Sequence, residues 1–466
     1  MGNAADKFAR LTALKPARAM PARSPELRTP DESDPVSKLL GGGIARNHYG
    51  DHLAIRNWFS TPEFAEPSGV TLDLLTRMSA RQNGVGGRKR NKSRDENVSR
   101  RTRAALEDPE KWLFLDTETT GLAGGTGTYA FLIGLAWWEA GGLQVEQLFL
   151  RDFSEEHSLL QAVAERVTER PVLVTFNGKS FDWPLLESRF TMTRAICVPQ
   201  LAAHLDLLHP ARALWKLRLG SVRLVELERH VLDGRRMGWR REDDVASSLI
   251  PQYYFDYLRG GTAQPLAGVL KHNQMDLRGL AALFVKINSL LEAGEDEFGE
   301  TNSIDLLGLS KFLHRKGEKE LAHSACAHAL DAGLPPEFRP QATRELALMS
   351  KRRGDIEQAA ALWHELAANP PETVLACEQL AMHYERHRRD FVRALEFTEL
   401  GLKTLQRQIA GSRDPHASAR NGRLEQRFVC RLERLRHRIK SAAAANCAPL
   451  LSSGAMASSE ARQRTR

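Results

Sequence analysis

Asp116 and Glu118 stand one residue apart at the end of the apolar run Trp112-Leu-Phe-Leu115. A strand has a side-chain period of two, so both carboxylates project from one face of its end. Like charges repel, and such a pair lasts only with a cation between them; hard oxygen donors suit Mg²⁺ or Mn²⁺. Alone, the pair reads more simply as a solvated turn. Asp182 closes the run Phe176-Asn-Gly-Lys-Ser-Phe-Asp182. By itself it fits a helix cap with Pro184 in the first turn, yet the end of a sheet strand is also where α/β proteins build their sites. His272 and Asp276 lie four apart in a helical pattern and share one face, the spacing that sets a general base beside a carboxylate. A surface pair has the same spacing. Asp206, between His204 and His209, is either a further ligand or a structural carboxylate.

The elements needed to position these groups are legible. Leu113 to Leu115 suit a buried strand. Gly124-Gly-Thr-Gly-Thr128 lacks the spacing of a phosphate-cradling loop and reads as a turn into a second strand, Tyr129 to Trp138. Gly141-Gly142 turns that strand into a third, Leu143 to Leu150. A helix over 155–169 follows, with Leu159, Leu160, Val163 and Val167 on its apolar face and Ser154 at its cap. Strand four is Val172 to Phe176. Asn177-Gly178 is a turn signal, and Leu277, Leu280, Leu283 and Phe284 mark the helix that carries His272. This order predicts an α/β domain.

Apolar content of 42% and charged content of 27% fit an ordinary globular chain, and 466 residues suffice for two or three domains. The longest apolar run, Tyr129 to Trp138, is too short to span a bilayer, and the N-terminus has no apolar core like that of a signal peptide, so the expected location is cytoplasmic, without membrane association. Five scattered cysteines without a Cys-x-x-Cys pair argue against a zinc site or a disulfide framework. The net charge of +8 permits an acidic polymer as partner. Its clusters, Arg88 to Arg103 and Arg423 to Lys440, are either binding faces or solvated surfaces. Residues 1 to about 40 read as disordered; a short ordered piece is expected over 44–78, anchored by His48, Tyr49, Trp58 and Phe59, with Leu72, Leu74 and Leu75 as a helix face.

Together the three acidic stretches resemble, in order, the three motifs of the DnaQ-like, ribonuclease H-like 3′–5′ exonuclease superfamily. The likeness covers roughly 105–292 and is greatest to the YprB-like ribonuclease H-like domain proteins, through the Phe176 to Asp182 run, Asp206-Leu-Leu-His-Pro-Ala-Arg212, Trp239-Arg-Arg-Glu-Asp-Asp-Val245, Pro251 to Tyr257 and His272-Asn273. The chain departs from histidine-type members in one respect: His272 precedes Asp276 by four residues rather than five. The resemblance implies a mixed sheet flanked by helices, and four metal-binding acids, Asp116, Glu118, Asp182 and Asp276. Asp116 would bridge two ions of Mg²⁺ or Mn²⁺, and neutral His272 would take the proton of the attacking water. Asn177, Lys179 and Arg241 are candidate contacts to the phosphates of DNA or RNA.

From Asp305 onward the pattern is helical. Gly317, Gly354 and Arg389 open similar segments at intervals of 37 and 35 residues, each with an alanine five positions later. This looks like degenerate tetratricopeptide repeats, period about 34, over 300–405, with an irregular helical bundle as the alternative; the repeats offer a protein partner a surface. Over 406–466 a basic amphipathic helix, with Leu424, Phe428, Leu432, Leu435 and Ile439 as its stripe, precedes a tail expected to be disordered beyond Ser441. The whole reads as a divalent-metal-dependent exonuclease with a helical-repeat module. The alternative is a nucleic-acid- or protein-binding scaffold on an inactive nuclease fold.

Overall fold

A computed structural model describes residues 35–60, 103–121, 127–234, 241, 244–292, 294–411 and 415–456. The chain divides into two units, one of residues 1–210 with 221–292 and the other of 211–220 with 293–466.

The first unit opens with α1 (Pro35–Leu40), β1 (Gly43–Asn47) and β2 (Gly50–Phe59). Order thus begins before residue 40, because Leu40 packs into the core. The expected helix face at Leu72, Leu74 and Leu75 and the basic cluster from Arg88 to Arg101 fall outside the described residues. Next come β3 (Trp112–Thr119), β4 (Ala130–Glu139), β5 (Gly142–Phe149), α2 (Glu156–Glu169), β6 (Val172–Thr175), α3 (Asp182–Thr193), β7 (Ala203–Asp206), α4 (Leu208–Leu219), α5 (Leu224–His230), α6 (Ile250–Leu258) and the long α7 (Gln264–Glu292).

The seven strands form one mixed sheet in the order β1-β2-β5-β4-β3-β6-β7, antiparallel from β1 to β3 and parallel from β3 to β7. β4 is buried along nearly its whole length, which suits a central strand covered on both faces. Two expected local signals lie elsewhere. The β4–β5 turn is Ala140-Gly141, both at positive φ as a tight hairpin turn requires. Ser154 does not cap α2: it lies in a 3-10 turn, Phe153–Glu155, capped by Asp152, whose carboxylate accepts from the Ser154 N–H. Tyr254 of α6 stacks on Phe131 at 4.1 Å between ring centres, and its hydroxyl donates to the Leu150 carbonyl at 3.0 Å. Burying a ring of this size contributes about 1.5–3 kcal/mol.

The second unit is helical: α8 (Ser303–Lys316), α9 (Lys319–Asp331), α10 (Arg339–Arg353), α11 (Ile356–Ala367), α12 (Thr373–His383), α13 (Phe391–Gly411) and α14 (Pro415–Met456), with a π-turn over Tyr384–Arg388. Arg218, in the part of α4 that belongs here, pairs with Asp305 of α8 at 2.7 Å. The turns at Gly317, Gly354 and Arg389 are all left-handed, and Ala322, Ala359 and Ala394 beyond them are buried. The last helix continues past Ser441, where a disordered tail is expected, to Met456. Leu435 and Phe428 of its stripe are buried, and Arg427, Arg434 and Arg438 pair with Glu378 and Glu385. Part of the basic face of α14 is therefore neutralised within the unit. Among the described residues no helix is long and apolar enough to cross a membrane.

Candidate active site

The site begins with the alternation of β3. Trp112, Phe114, Asp116 and Glu118 share one face of the strand. Phe284 of α7 meets Trp112 and Phe114 edge-on, with ring centres 4.9 and 5.8 Å apart, which lays α7 along that face. Earlier turns of the helix then bring Asp276, Asn273 and His272 over the two acids. Asn273 is fully buried and donates to Asp116 Oδ2 at 2.8 Å, while Gln147 of β5 donates to its Oδ1 at 2.8 Å and fixes the amide's orientation. Gly134, the β4 residue opposite Asp116, makes this approach possible. A Cβ there would lie 2.2 Å from Asn273 Oδ1 and 2.7 Å from Leu277 Cδ1.

Asp182 enters as the first residue of α3 and accepts from Thr117 Oγ1 at 2.6 Å. His272 is buried, with Nε2 3.6 Å from Asp276 Oδ2 and 3.9 Å from Glu118 Oε1. Its Nδ1 lies 2.8 Å from Asp244 Oδ1. A carboxylate only accepts, so Nδ1 carries a hydrogen, and in the neutral ring Nε2 is then the acceptor on the side of the acids.

The electrostatics follow from crowding. Burial, and then the charges of Asp276, Asp182 and Glu118, push Asp116 well above the usual carboxylate range; its bond from Asn273 opposes this. Burial, with Asp276, Asp182 and Asp244, pushes Glu118 up to about 8. Asp182 is raised by burial despite its bond from Thr117. Asp244 differs: burial raises it, but His272 and Arg241 outweigh burial and hold it low.

Among the described residues no three His, Cys, Asp or Glu side chains close around a single point as a finished metal cage. The donor set nevertheless fits a hard divalent cation. It is all oxygen and mutually repelling, and burial together with the neighbouring carboxylates raises Asp116 and Glu118, a cost of holding charge there that a cation would relieve.

The remaining expected site residues are placed as follows. Asp206 takes a structural role, accepting from the backbone N–H groups of Asn177, Lys179 and Leu208 at 2.8, 3.2 and 3.0 Å. It thereby holds Asn177 in a left-handed turn, φ 70°. Lys179 is partly buried, which pushes its ammonium below the usual value. Arg241, read from the sequence as a phosphate contact, directs its guanidinium at carboxylates: both oxygens of Glu228 at 2.6 Å, Asp244 at 2.9 Å, and Asp276. It is a counter-ion of the cluster here.

Asp244, Asn273, Glu228 and Thr117 carry no role in the sequence reading. Asn273 had a signal, since it lies three residues before Asp276 on the inner face of α7. Asp244, three residues after Arg241, had only its place in the Trp239 to Val245 run.

Comparison with known proteins agrees with this fold. The sequence model of the RNase_H superfamily matches residues 113–288, which run from β3 into α7. The chain is 32% identical over 293 residues to YprB, an uncharacterized protein of Bacillus subtilis (strain 168), covering 62% of this chain and 68% of YprB. The superfamily match suggests nuclease activity in general terms. From the fold, the matched domain and the shared length, the chain belongs to the YprB-like family of ribonuclease H-superfamily proteins.

Proposed function

We propose that the protein is a divalent-metal-dependent nuclease, acting as a 3′–5′ exonuclease on DNA or RNA. The observation that carries this reading is the convergence of Asp116, Glu118, Asp182 and Asp276 with His272, whose free nitrogen faces two of them. Two Mg²⁺ or Mn²⁺ ions on these acids would supply charge for an attacking water and for the leaving oxygen. The chain's own groups do the rest. Asp244 holds the imidazole by Nδ1–H, so His272 Nε2 can accept the water's proton. Asn177 and Lys179, fixed through Asp206, lie on a turn suited to contact the phosphate chain. The ion pairs of Arg241 limit the cluster's charge without filling it. The three left-handed turns and the buried alanines beyond them support reading the second unit as tetratricopeptide-like repeats that carry a protein partner.

A second reading, a scaffold that binds without cutting, has one observation in its favour: Arg241 already pairs with Asp276. Thermal denaturation with and without Mn²⁺, together with 3′- and 5′-labelled single strands, separates the two. The nuclease predicts stabilisation by Mn²⁺ that Asp116→Asn removes, and stepwise shortening from the 3′ end. Absence of both supports the scaffold.

A further inference from the structure

The second unit contains a small pocket where the C-terminal ends of α10 and α12 meet α11. It has room of about 60 Å³, enough for a carboxylate-sized group. Ala359, Ala360, Trp363 and His383 form its buried floor; Ile356 and Met382 supply apolar wall, and Lys351, Arg386 and His387 stand exposed at the rim.

The charge around this pocket is unbalanced. The carboxylates near it are already matched to other guanidiniums: Glu357 to Arg388 at 2.6 Å, Glu378 to Arg427 at 3.1 Å and Glu385 to Arg434 at 2.9 Å. Arg386 meets no carboxylate among the described residues, and Lys351 reaches only the amide oxygen of Gln379, at 2.7 Å. Burial, and then the charge of Arg386, hold the Lys351 ammonium below its usual value. His383 is more than nine-tenths buried, and its buried Nδ1 has no hydrogen-bond partner among the described residues. Cations that repel one another over a polar but unpartnered floor make a site for an anion.

We propose that this pocket binds an acidic segment of a partner protein, with a carboxylate between Lys351 and Arg386 and a neighbouring aliphatic side chain against Ile356 and Met382. A protein fits better than a nucleic acid. The pocket's aromatic residue, Trp363, lies buried in the floor where no base can stack on it, and arginines of α14 that could extend a phosphate track are paired with Glu378 and Glu385. Charge complementarity at a mixed polar and apolar groove is the recognition this arrangement offers. The inference is independent of the nuclease reading.

The test is fluorescence anisotropy on the full chain with a labelled peptide alternating Glu and Leu, the same peptide with Gln for Glu, and labelled oligo(dT) and oligo(U). The Glu peptide is expected to bind, the Gln peptide to bind about tenfold more weakly, and Arg386→Glu and Lys351→Gln each to weaken the Glu peptide by about tenfold. Arg407→Glu, on the exposed surface of α13, is expected to leave binding unchanged, and circular dichroism checks that each variant is folded. Equal binding of the two peptides overturns the proposal. So does Glu-peptide binding indifferent to Arg386→Glu in a folded protein, or binding at this pocket by the oligonucleotides in place of the peptide.

Discussion

His272 Nδ1 lies 2.8 Å from Asp244 Oδ1, which leaves Nε2 as the imidazole's acceptor on the side of Glu118 and Asp276. Asp244 in turn accepts from Arg241 at 2.9 Å, and Arg241 is clamped by both oxygens of Glu228. The ring is thus held through a chain of charges that begins outside the set of acids.

Asp244→Asn offers His272 an amide that can turn its N–H₂ toward Nδ1, which selects the opposite tautomer. Hydrolysis is expected to fall by about 10²-fold, the scale of a general-base contribution, with Mn²⁺ stabilisation retained. Steady-state rates on a labelled oligonucleotide measure the first and thermal shift the second. A rate within a few-fold of wild type would remove Asp244 from the mechanism.

Glu118 ties stability to pH. Its carboxyl is pushed up to about 8 in the folded protein, against an ordinary 4.5. A raised carboxyl lends its full stability below the ordinary value and loses it as pH climbs through the folded one. The cation-free protein should therefore lose thermal stability as pH rises from about 4.5 to about 8, and Glu118→Gln should flatten that slope. Scanning fluorimetry in chelator reads both; an identical slope in the variant contradicts this assignment.

Gly134→Ala places a methyl group against Asn273 and Leu277, at 2.2 and 2.7 Å before relaxation. Overpacking of this kind costs about 1–3 kcal/mol, and it also shifts the amide that holds Asp116. Urea denaturation should show a lower midpoint, and Asn273→Gly in the same chain should recover part of it.

Most of the site was legible in the sequence because it rests on local periods, two for Asp116 and Glu118 in β3 and four for His272 and Asp276 on α7, while Asp182 was marked only by its place at the end of a strand. The counter-ions of these acids were not legible. Arg241 reaches Glu228 and Asp276 across 13 and 35 residues, distances at which only the packing of α5 and α7 decides who meets whom. Asp206 illustrates the same limit: its sequence fits a ligand as well as a brace, and three backbone N–H groups supplied by the fold make it a brace. The pairing of β2 with β5 was hidden for another reason. The two strands are far apart in the chain, and nothing in the local pattern of either names its partner.

In the second unit, Gly354 ends α10 at φ +91° with open space around it, whereas Arg389 holds φ 53° with a side chain. Left-handed backbone costs a residue other than glycine about 1–2 kcal/mol. Gly354→Ala should destabilise by about 1 kcal/mol and Arg389→Gly should stabilise by a similar amount, as read from denaturant midpoints. The same sign for both would mean that contacts, not the turn, dominate there.

The most direct test of the site is hydrolysis of end-labelled single-stranded DNA and RNA in Mn²⁺ by wild type, Asp116→Asn and His272→Ala. Cutting by the wild type that Asp116→Asn abolishes and His272→Ala reduces by about 10²-fold or more is the expected result. Wild-type protein that binds Mn²⁺ and cuts neither polymer, or an Asp116→Asn variant that cuts as fast as wild type, would contradict it.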